Sequence, residues 1–337
     1  MSLDPQKTKR EMDGTKRVIG EENDLEPYFS YYSRQCHAFT VQRGRFLAAR
    51  THQDLANIIS DFADNLDRQA IRSSIVGRLH PMNPSFNADN ELEELLDRTI
   101  DLAARLFLMI EIGTVPDSIS PAIPLKWMNG TIRQFTRHQF DIPPQLPCTG
   151  VKLPKLFNAQ NLQRIGGITI RWTSDLSDHL RMVDDDERVA IFAYPSFLML
   201  HLTSDIFPDG FINETLRTIK LLFPSTRPEV QKWIQSLPNN LDKKFSTCGS
   251  LRTELRHIER FQFWRDRLVI LKEVFDEAEP KTLSQWWWDR RKRVQWYTFW
   301  IAVLVLGLGT LFGVIQCTAS IIQTLRDSPT SAYSPAH

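Results

Sequence analysis

The stretch of sequence that decides the architecture lies near the C-terminus: Tyr297–Ile315, YTFWIAVLVLGLGTLFGVI. At about 1.5 Å per residue, a helix of this length measures roughly 29 Å, which matches a hydrocarbon core of about 30 Å. Residues 294–325 contain no charged side chain, and within the apolar stretch only Thr298 and Thr310 are polar. A buried helix of a soluble protein normally keeps a polar stripe, so that alternative is disfavoured. The sequence predicts one transmembrane helix over residues 296–322.

The charges on either side of this helix predict its orientation. Asp289 is followed by Arg290, Arg291, Lys292 and Arg293, so four basic residues and one acid give a net charge of +3. The residues after the helix carry one Arg and one Asp. Positively charged flanks remain on the cytoplasmic side of a membrane. We therefore expect the large N-terminal part in the cytosol, anchored to the endoplasmic reticulum or another endomembrane.

The position of the apolar stretch predicts how the chain enters the membrane. The N-terminal sequence MSLDPQKTKREMDGTKR lacks the apolar region of a secretory signal peptide. With the hydrophobic span so near the C-terminus, we expect a single-pass, tail-anchored protein. The N-x-S/T sequences at Asn129 and Asn213 provide a test of topology, because a luminal domain would carry glycans there.

Aromatic residues crowd around the basic cluster, where five of the nine tryptophans lie. We predict that Trp296, Tyr297 and Trp300 flank the anchor at the headgroup boundary, where amphipathic rings are enriched. For Trp286–Trp288 two interpretations stay open, contact with headgroups and packing against the cytosolic domain. A helix capped by Thr282 is expected to run through residues 281–295 straight into the bilayer.

Small residues inside the span favour contact with a second membrane helix. Gly309 and Gly313 form a G-x-x-x-G motif, and Gly307 precedes it. Small side chains four residues apart allow two helices to approach closely. The sequence therefore predicts a helix–helix contact at these glycines and, as a hypothesis, a homodimer.

The overall composition excludes several classes of protein. The chain has 337 residues, a formal net charge of +1, 42% hydrophobic and 24% charged residues, which is ordinary globular chemistry. A near-neutral balance removes the electrostatic case for a general nucleic-acid binder. The four cysteines are too scattered for a disulfide framework or a paired zinc-ligand pattern, and they are Cys36, Cys148, Cys248 and Cys317.

Hydrophobic periodicity predicts a mainly α, multi-helix cytosolic domain with a small α+β insertion that resembles a winged helix, plus one C-terminal transmembrane helix. Helices are expected after Thr51, over 68–79 and 90–112, over 211–223 and from Pro228, and from Ser250 to Glu277. The expected segments are a disordered N-terminus 1–25, a helical subdomain 26–113, a Pro-rich ordered connector 114–158, an α+β and helical subdomain 159–280, a juxtamembrane helix 281–295 and a tail 323–337.

The strand pattern lies within residues 159–192. Ile168, Ile170 and Trp172 alternate with other residues, and Arg188–Phe192 forms a second strand after a short helix. The order helix, strand, helix, strand resembles a winged helix. Four arginines stand against six carboxylates in this stretch, so we predict no nucleic acid as a partner.

No constellation of residues predicts a catalytic, cofactor-binding or metal site. Asp184–Glu187 lacks the alternating carboxylates and glycine of a calcium loop and is predicted to be a solvated turn. His179 lacks a serine elbow or cysteine partner, and His201 with Asp205 lacks a third ligand and favours a surface pair. Gly166-Gly167 follows a helix and leads into a strand, the reverse of a phosphate-binding loop.

The segments FWRDRLVILK (263–272), LSQWW (283–287), DRR (289–291) and VQWYTFWIA (294–302) resemble the C-terminal signature of a large family of uncharacterised membrane-anchored proteins of filamentous fungi. IRWT (170–173) and the residues that follow it resemble the central region of that family. The resemblance implies a membrane-anchored topology and a fungal source. It implies no catalytic residue.

Two functional hypotheses remain. In the first, the chain is a membrane-anchored, non-catalytic interaction or scaffold protein, whose partners are the lipid bilayer and a protein of unknown identity. In the second, it is a membrane-bound enzyme without a sequence motif, in which His179 and nearby acids are the least unfavourable candidates. A concave pocket with convergent titratable groups would favour the enzyme, and an exposed apolar groove would favour binding.

Overall fold

The computed structural model of the chain describes residues 25–40, 47–79, 89–114, 124–238, 240–280, 282–289, 291 and 293–326. Helix accounts for 60% of the described residues and strand for 7%, which confirms the mainly α prediction. The chain forms two compact units, the first ending at Ala278 and the second beginning at Glu279. The disorder predicted for the N-terminus and most of the predicted C-terminal tail fall outside the described residues.

The first unit contains ten α-helices among its described residues, which we number in chain order. They are α1 Glu26–Thr40, α2 His52–Ala63, α3 Arg68–Leu79, α4 Asp89–Leu108, α5 Ile132–Phe140, α6 Ala159–Arg164, α7 Pro195–Leu200, α8 Phe211–Leu222, α9 Pro228–Gln235 and α10 Arg265–Glu277. The strands are β1 Thr169–Thr173, β2 Met182–Val183 and β3 Arg188–Phe192. The second unit contains α11 Leu283–Trp288 and α12 Arg293–Arg326.

Several helix boundaries follow directly from capping residues in the sequence. The hydroxyl of Thr51 accepts from the backbone N–H of Asp54 at 3.2 Å, and the Asp54 carboxylate accepts from the Thr51 N–H at 2.8 Å. This capping box satisfies two backbone donors that a helix leaves unpaired at its start. The predicted start of α2 is therefore confirmed, and α3 has the predicted bounds.

The long early helix ends sooner than the predicted bound at residue 112. Met109 adopts a left-handed conformation with φ 51°, which ends α4 at Leu108. The guanidinium of Arg105 then hydrogen-bonds the carbonyl oxygens of Ile112 and Gly113 and holds the following segment in an extended path. A side chain inside the helix, and not a glycine after it, therefore organises this turn.

The helix predicted from Ser250 to Glu277 is wrong over its first half, which forms short 3₁₀ turns until α10 begins at Arg265. Its backbone bonds to another segment instead. The N–H of Leu153 donates to the Arg256 carbonyl at 2.8 Å, and the N–H of Ile258 donates to the Val151 carbonyl at 3.0 Å. These long-range hydrogen bonds replace the i to i−4 bonds that a helix would need.

The small sheet has the order β1-β3-β2, with β1 parallel and β2 antiparallel to β3. The middle strand is the most buried, as its position between two neighbours requires. β2 and β3 are joined by the acidic turn, in which Asp184, Asp185 and Asp186 have left-handed φ values of 54°, 51° and 64°. The turn lies at the surface as predicted, whereas the winged-helix likeness stays a prediction.

A single hydrophobic core receives side chains from both predicted subdomains and from the connector between them. The described part of the predicted connector, residues 124–158, contributes the buried Trp127 and Phe140. The ring of Phe140 lies 4.2 Å from that of Phe211, and the ring of Trp264 lies 5.5 Å from Phe211. Each such side chain contributes about 1.5–3 kcal/mol through burial.

The second unit does not form the continuous helix predicted through residues 281–295. Thr282 caps α11 with a capping box to Gln285, as expected. α11 nevertheless ends at Trp288, because Asp289 leaves the helical region with φ −79° and ψ 99°. The chain becomes helical again at Arg293, so a break separates the aromatic segment from the apolar helix.

Candidate functional site

The feature with the clearest functional meaning is the apolar helix α12. The segment Trp296–Arg326 has 31 residues, and its most apolar window reaches a mean hydropathy of 2.3 with none of its residues buried. At about 1.5 Å per residue this segment is roughly 46 Å long, more than the hydrocarbon core of about 30 Å requires. The helix is therefore long and apolar enough to cross a membrane, and it continues beyond the predicted end at residue 322.

The threonine hydroxyls within α12 are satisfied by the helix itself. The hydroxyls of Thr298 and Thr310 donate to the carbonyl oxygens four residues earlier, those of Val294 and Leu306, both at 2.9 Å. In a hydrocarbon environment an unpaired hydroxyl is costly, and this bond removes that cost. The two polar residues that interrupt the apolar run are thus compatible with a spanning helix.

The aromatic residues before and at the start of α12 contact one another. The rings of Trp287 and Trp300 lie 5.0 Å apart at 90°, and those of Trp296 and Tyr297 lie 5.1 Å apart at 87°. The indole N–H of Trp296 donates to the backbone carbonyl of Trp287 at 3.4 Å. About half of each side chain remains accessible for Trp287 (51%), Trp288 (42%) and Tyr297 (59%).

The basic cluster is only partly described. The carboxylate of Asp289 pairs with the guanidinium of Arg291, with Nη2 2.7 Å from Oδ2 and Nε 2.9 Å from Oδ1. One of the four basic residues is therefore neutralised by the acid inside the cluster. Arg290 and Lys292 lie outside the described residues, and Arg293 begins α12.

The three glycines of the span lie on a continuous helix. A Cβ atom added at Gly307, Gly309 or Gly313 would meet no atom within 4 Å. Among the described residues, no packing contact therefore requires the absence of a side chain at these positions. Successive residues turn by about 100° around a helix, so Gly309 and Gly313 share a face whereas Gly307 points about 200° away from Gly309.

His179, the candidate base of the enzyme hypothesis, is fully buried. Its Nδ1 accepts from the N–H of Phe192 at 3.2 Å, and its Nε2 lies 2.7 Å from the Thr218 hydroxyl. Burial, and secondly the charge of Arg267, lowers the pKa of His179 to about 3. With both nitrogens engaged, this neutral imidazole holds β3 and α8 together.

His201 and Asp205 do not form the predicted surface pair. α7 ends at Leu200, so the two residues do not share a helix. His201 is only 8% exposed and is enclosed by aromatic rings, with Phe197 at 4.6 Å. Asp205 instead pairs with Arg133, at 3.0 Å between Oδ2 and Nη1. The expectation failed because the loop after α7 turns the imidazole into the core.

A cleft of about 220 Å³ opens beside this loop and is lined by His201, Asp205 and Asp209, among others. Burial lowers the pKa of His201 to about 4, so its imidazole is neutral at physiological pH. Pockets that bind small molecules are typically 300–1,000 Å³. The cleft is smaller than that range, and it brings together one neutral base and two carboxylates.

The surroundings of the remaining candidate groups indicate structural roles. Among the described residues, no three or more His, Cys, Asp or Glu side chains are placed to hold a metal ion. Burial raises the pKa of the Cys36 thiol to about 12 and that of Cys248 to about 11, which makes both thiols poor nucleophiles. Gly166 packs tightly against the side chain of Phe275 and lines no loop that could hold a phosphate.

One buried carboxylate was not singled out from the sequence. Glu214 accepts from the backbone N–H groups of Gln262 and Trp264 at 2.8 Å and 2.9 Å. Burial nevertheless raises the pKa of this carboxyl. The sequence already indicated that Glu214 is buried, because helical spacing places it on the same apolar face as Phe211 and Leu221. The Glu214 carboxylate ties α8 to the turn before α10, and its bonds are those of a structural group.

The fold and the apolar helix define a mainly helical domain followed by a helix suited to a membrane. Comparisons with models of protein families, with curated proteins and with solved structures found no match to this chain.

Proposed function

We propose that the chain is a single-pass membrane protein whose N-terminal domain binds a protein partner and carries out no catalysis. The observation that carries this proposal is that α12, a helix longer than a bilayer core, exposes apolar side chains on all of its sides. A soluble environment would leave this surface in water at a cost of about 25 cal/mol per Å². A bilayer removes that cost.

The absence of catalysis is proposed because the histidine best placed by sequence has a structural role. His179 is enclosed and engaged at both nitrogens. The described cleft beside His201 is small, and its lining includes the exposed apolar side chain of Leu202. Exposed apolar side chains beside a shallow depression are more typical of a binding surface than of an active site.

The orientation, the insertion route and the location are part of the same proposal. We propose a cytosolic domain, because the basic residues lie on the N-terminal side of the span. We further propose a tail-anchored insertion into the endoplasmic reticulum or another endomembrane, and membership in the fungal family that the C-terminal segments resemble. The winged-helix-like unit is proposed as a packing element of the domain, without a nucleic-acid partner.

Extraction at alkaline pH tests the anchor. Vesicles that carry the full chain are washed with carbonate at high pH and pelleted. We expect the chain in the pellet, and we expect the double substitution L304R/L308R to move it to the supernatant, because arginine at the centre of a span costs about 2.5–3.5 kcal/mol. Full release of the unsubstituted chain would refute the anchor. The charge-neutral L304I/L308I variant is the matched control.

Glycosylation tests the orientation. Asn129 and Asn213 are both exposed in the domain, so an oligosaccharyltransferase could reach them in a lumen. We expect no glycan at either position and a glycan at an acceptor site appended after His337. Glycans on the native sites and none on the appended site would reverse the proposed orientation.

A further inference from the structure

The break between α11 and α12 is built by one acidic residue. The Asp289 carboxylate accepts from the Arg291 backbone N–H at 3.0 Å and forms a forked ion pair with the Arg291 guanidinium, at 2.9 Å and 2.7 Å. An aspartate that bonds the backbone two residues later stabilises a turn in place of a helix. The forked pair adds two charge-assisted hydrogen bonds to the same turn. The bonds between Asp289 and Arg291 therefore fix the turn after α11, which we call the elbow.

The elbow folds α11 back onto the start of α12. In a continuous helix Trp287 and Trp300 would be separated by about 20 Å along the axis. Their ring centroids are 5.0 Å apart. The Trp296 indole N–H also donates to the carbonyl of Trp287, one of the carbonyls that the end of α11 leaves without a helical partner. Aromatic packing and a hydrogen bond thus fix α11 beside the first turns of α12.

We infer that α11 is an interfacial hook, whose exposed tryptophans Trp287 and Trp288 enter the boundary between phospholipid headgroups and acyl chains. This inference rests on the proposed membrane anchor. Indole rings concentrate at that boundary, because their apolar body and polar N–H match its two sides. The elbow places Trp287 at the level of Trp300, which begins the apolar span. A straight helix would hold Trp287 about 14 Å above Trp296, in water.

The depth of the hook follows from the length of the span. If Trp296 and Trp300 lie at the boundary, about 20 residues are needed to cross a hydrocarbon core of about 30 Å. The core then extends from Ile301 to about Ser320, and Gln316 and Thr318 approach the opposite boundary. The partner of α11 is therefore the bilayer surface next to the domain, and α11 adds a second contact to the one made by the span.

Fluorine NMR of the full chain tests the hook. The chain is labelled with 5-fluorotryptophan and placed in phosphatidylcholine nanodiscs, and the resonances of Trp287 and Trp300 are assigned with Trp287→Phe and Trp300→Phe. A lipid with a nitroxide at carbon 5 of its acyl chain is then added. We expect both resonances to broaden and lose intensity. If Trp300 broadens and Trp287 does not, the hook is wrong and the anchor stands. If neither broadens, the anchor itself is wrong.

Substitution of the elbow tests its role. In Asp289→Ala the forked ion pair and the turn are lost, so α11 and α12 can join in one helix. We expect Trp287 to lose the broadening while Trp300 keeps it. The control Asp276→Ala removes an acid that pairs with Lys272 on α10 and should leave both resonances as in the unsubstituted chain. Broadening of Trp287 that persists in Asp289→Ala overturns the assigned role of the elbow.

Discussion

The imidazole of His179 and the hydroxyl of Thr218 form a buried hydrogen bond, with 2.7 Å between Nε2 and Oγ1. Because Nδ1 accepts from the Phe192 N–H, the proton resides on Nε2, which donates to Thr218. The Thr218 hydroxyl in turn donates to the carbonyl of Thr215 at 2.6 Å. The chain of bonds runs from the sheet through the imidazole into α8, and it leaves no proton acceptor for a substrate.

Loss of this imidazole should reduce stability. His179→Gln can keep at most part of the two hydrogen bonds, and an unpaired buried group costs about 1–3 kcal/mol. We expect the free energy of unfolding to fall by about that amount, measured by urea unfolding of the full chain in mild detergent. His138→Gln makes the same change on an exposed face of α5 and should alter stability by less than about 0.5 kcal/mol. Equal stability of the two variants would contradict the structural role.

The same residue predicts a pH dependence. Burial and Arg267 hold the pKa of His179 at about 3 in the folded chain, against 6.5 for an ordinary imidazole. Between these values the unfolded chain binds the proton and the folded chain does not. The contribution to stability is therefore complete above about pH 6.5 and is lost as the pH falls toward 3. We expect His179→Gln to flatten this part of the curve of stability against pH. A slope unchanged by the substitution would contradict the assignment.

Asp175 predicts that stability falls as the pH rises, which is opposite to the effect of His179. Its carboxylate accepts from the Ser177 N–H at 2.8 Å, yet burial raises its pKa from 3.8 to about 6. The folded chain therefore holds a proton that the unfolded chain releases, and stability falls by about 3 kcal/mol as the pH rises from about 4 to above 6. Asp175→Asn keeps the accepting oxygen and removes the charge. We expect this variant to be more stable than the unsubstituted chain at pH 7.5, with the difference shrinking toward pH 4. The exposed Asp185→Asn is the control.

Gly166 and Gly77 are a matched pair of positions for testing packing. A Cβ at Gly166 would lie 2.9 Å from the Leu162 carbonyl oxygen and 2.9 Å from the ring of Phe275, whereas a Cβ at Gly77 would meet nothing within 4 Å. Gly166→Ala should therefore destabilise the chain by about 1–3 kcal/mol through overpacking. Gly77→Ala, inside α3, should stabilise it by about 0.5–1 kcal/mol through helix propensity. Thermal unfolding of both variants gives the comparison, and shifts of the same sign would contradict it.

The sequence predicted those elements whose signals are local. The capping box at Thr51 fixed the start of α2, and the apolar length of α12 was evident from composition alone. Elements controlled by distant contacts were missed. The segment before α10 looks helical by periodicity, but its backbone bonds to residues 151–154. α1 was not assigned individually, although Tyr28 and Tyr31 bind carbonyls of α4 and hold it in the fold.

The features of the candidate site also divide into those with a local signal in the sequence and those that depend on contacts in the folded chain. The apolar helix α12 could be predicted because its apolar length is evident from composition alone. The elbow could not, because Asp289 lies among helix-forming residues, and its non-helical backbone and its bonds to Arg291 are visible only in the structure. His201 was placed at the surface because it lies four residues before Asp205 without a third metal ligand, whereas the folded chain encloses it between the rings of Phe107 and Phe197.

The glycines of the span predict how two copies would associate. Gly309 and Gly313 lie on one face of α12, and no other described segment occupies the space beside them. If this face forms the predicted homodimer, a large side chain there separates the backbones and removes the close contact. Gly309→Leu and Gly313→Leu should each weaken association in detergent micelles, measured by energy transfer between labelled copies of the full chain. Gly307→Leu adds the same side chain about 200° around the helix and should leave association unchanged. If all three variants weaken association equally, the size of the added side chain matters and its position on the helix does not. If neither Gly309→Leu nor Gly313→Leu weakens association, the dimer contact lies elsewhere.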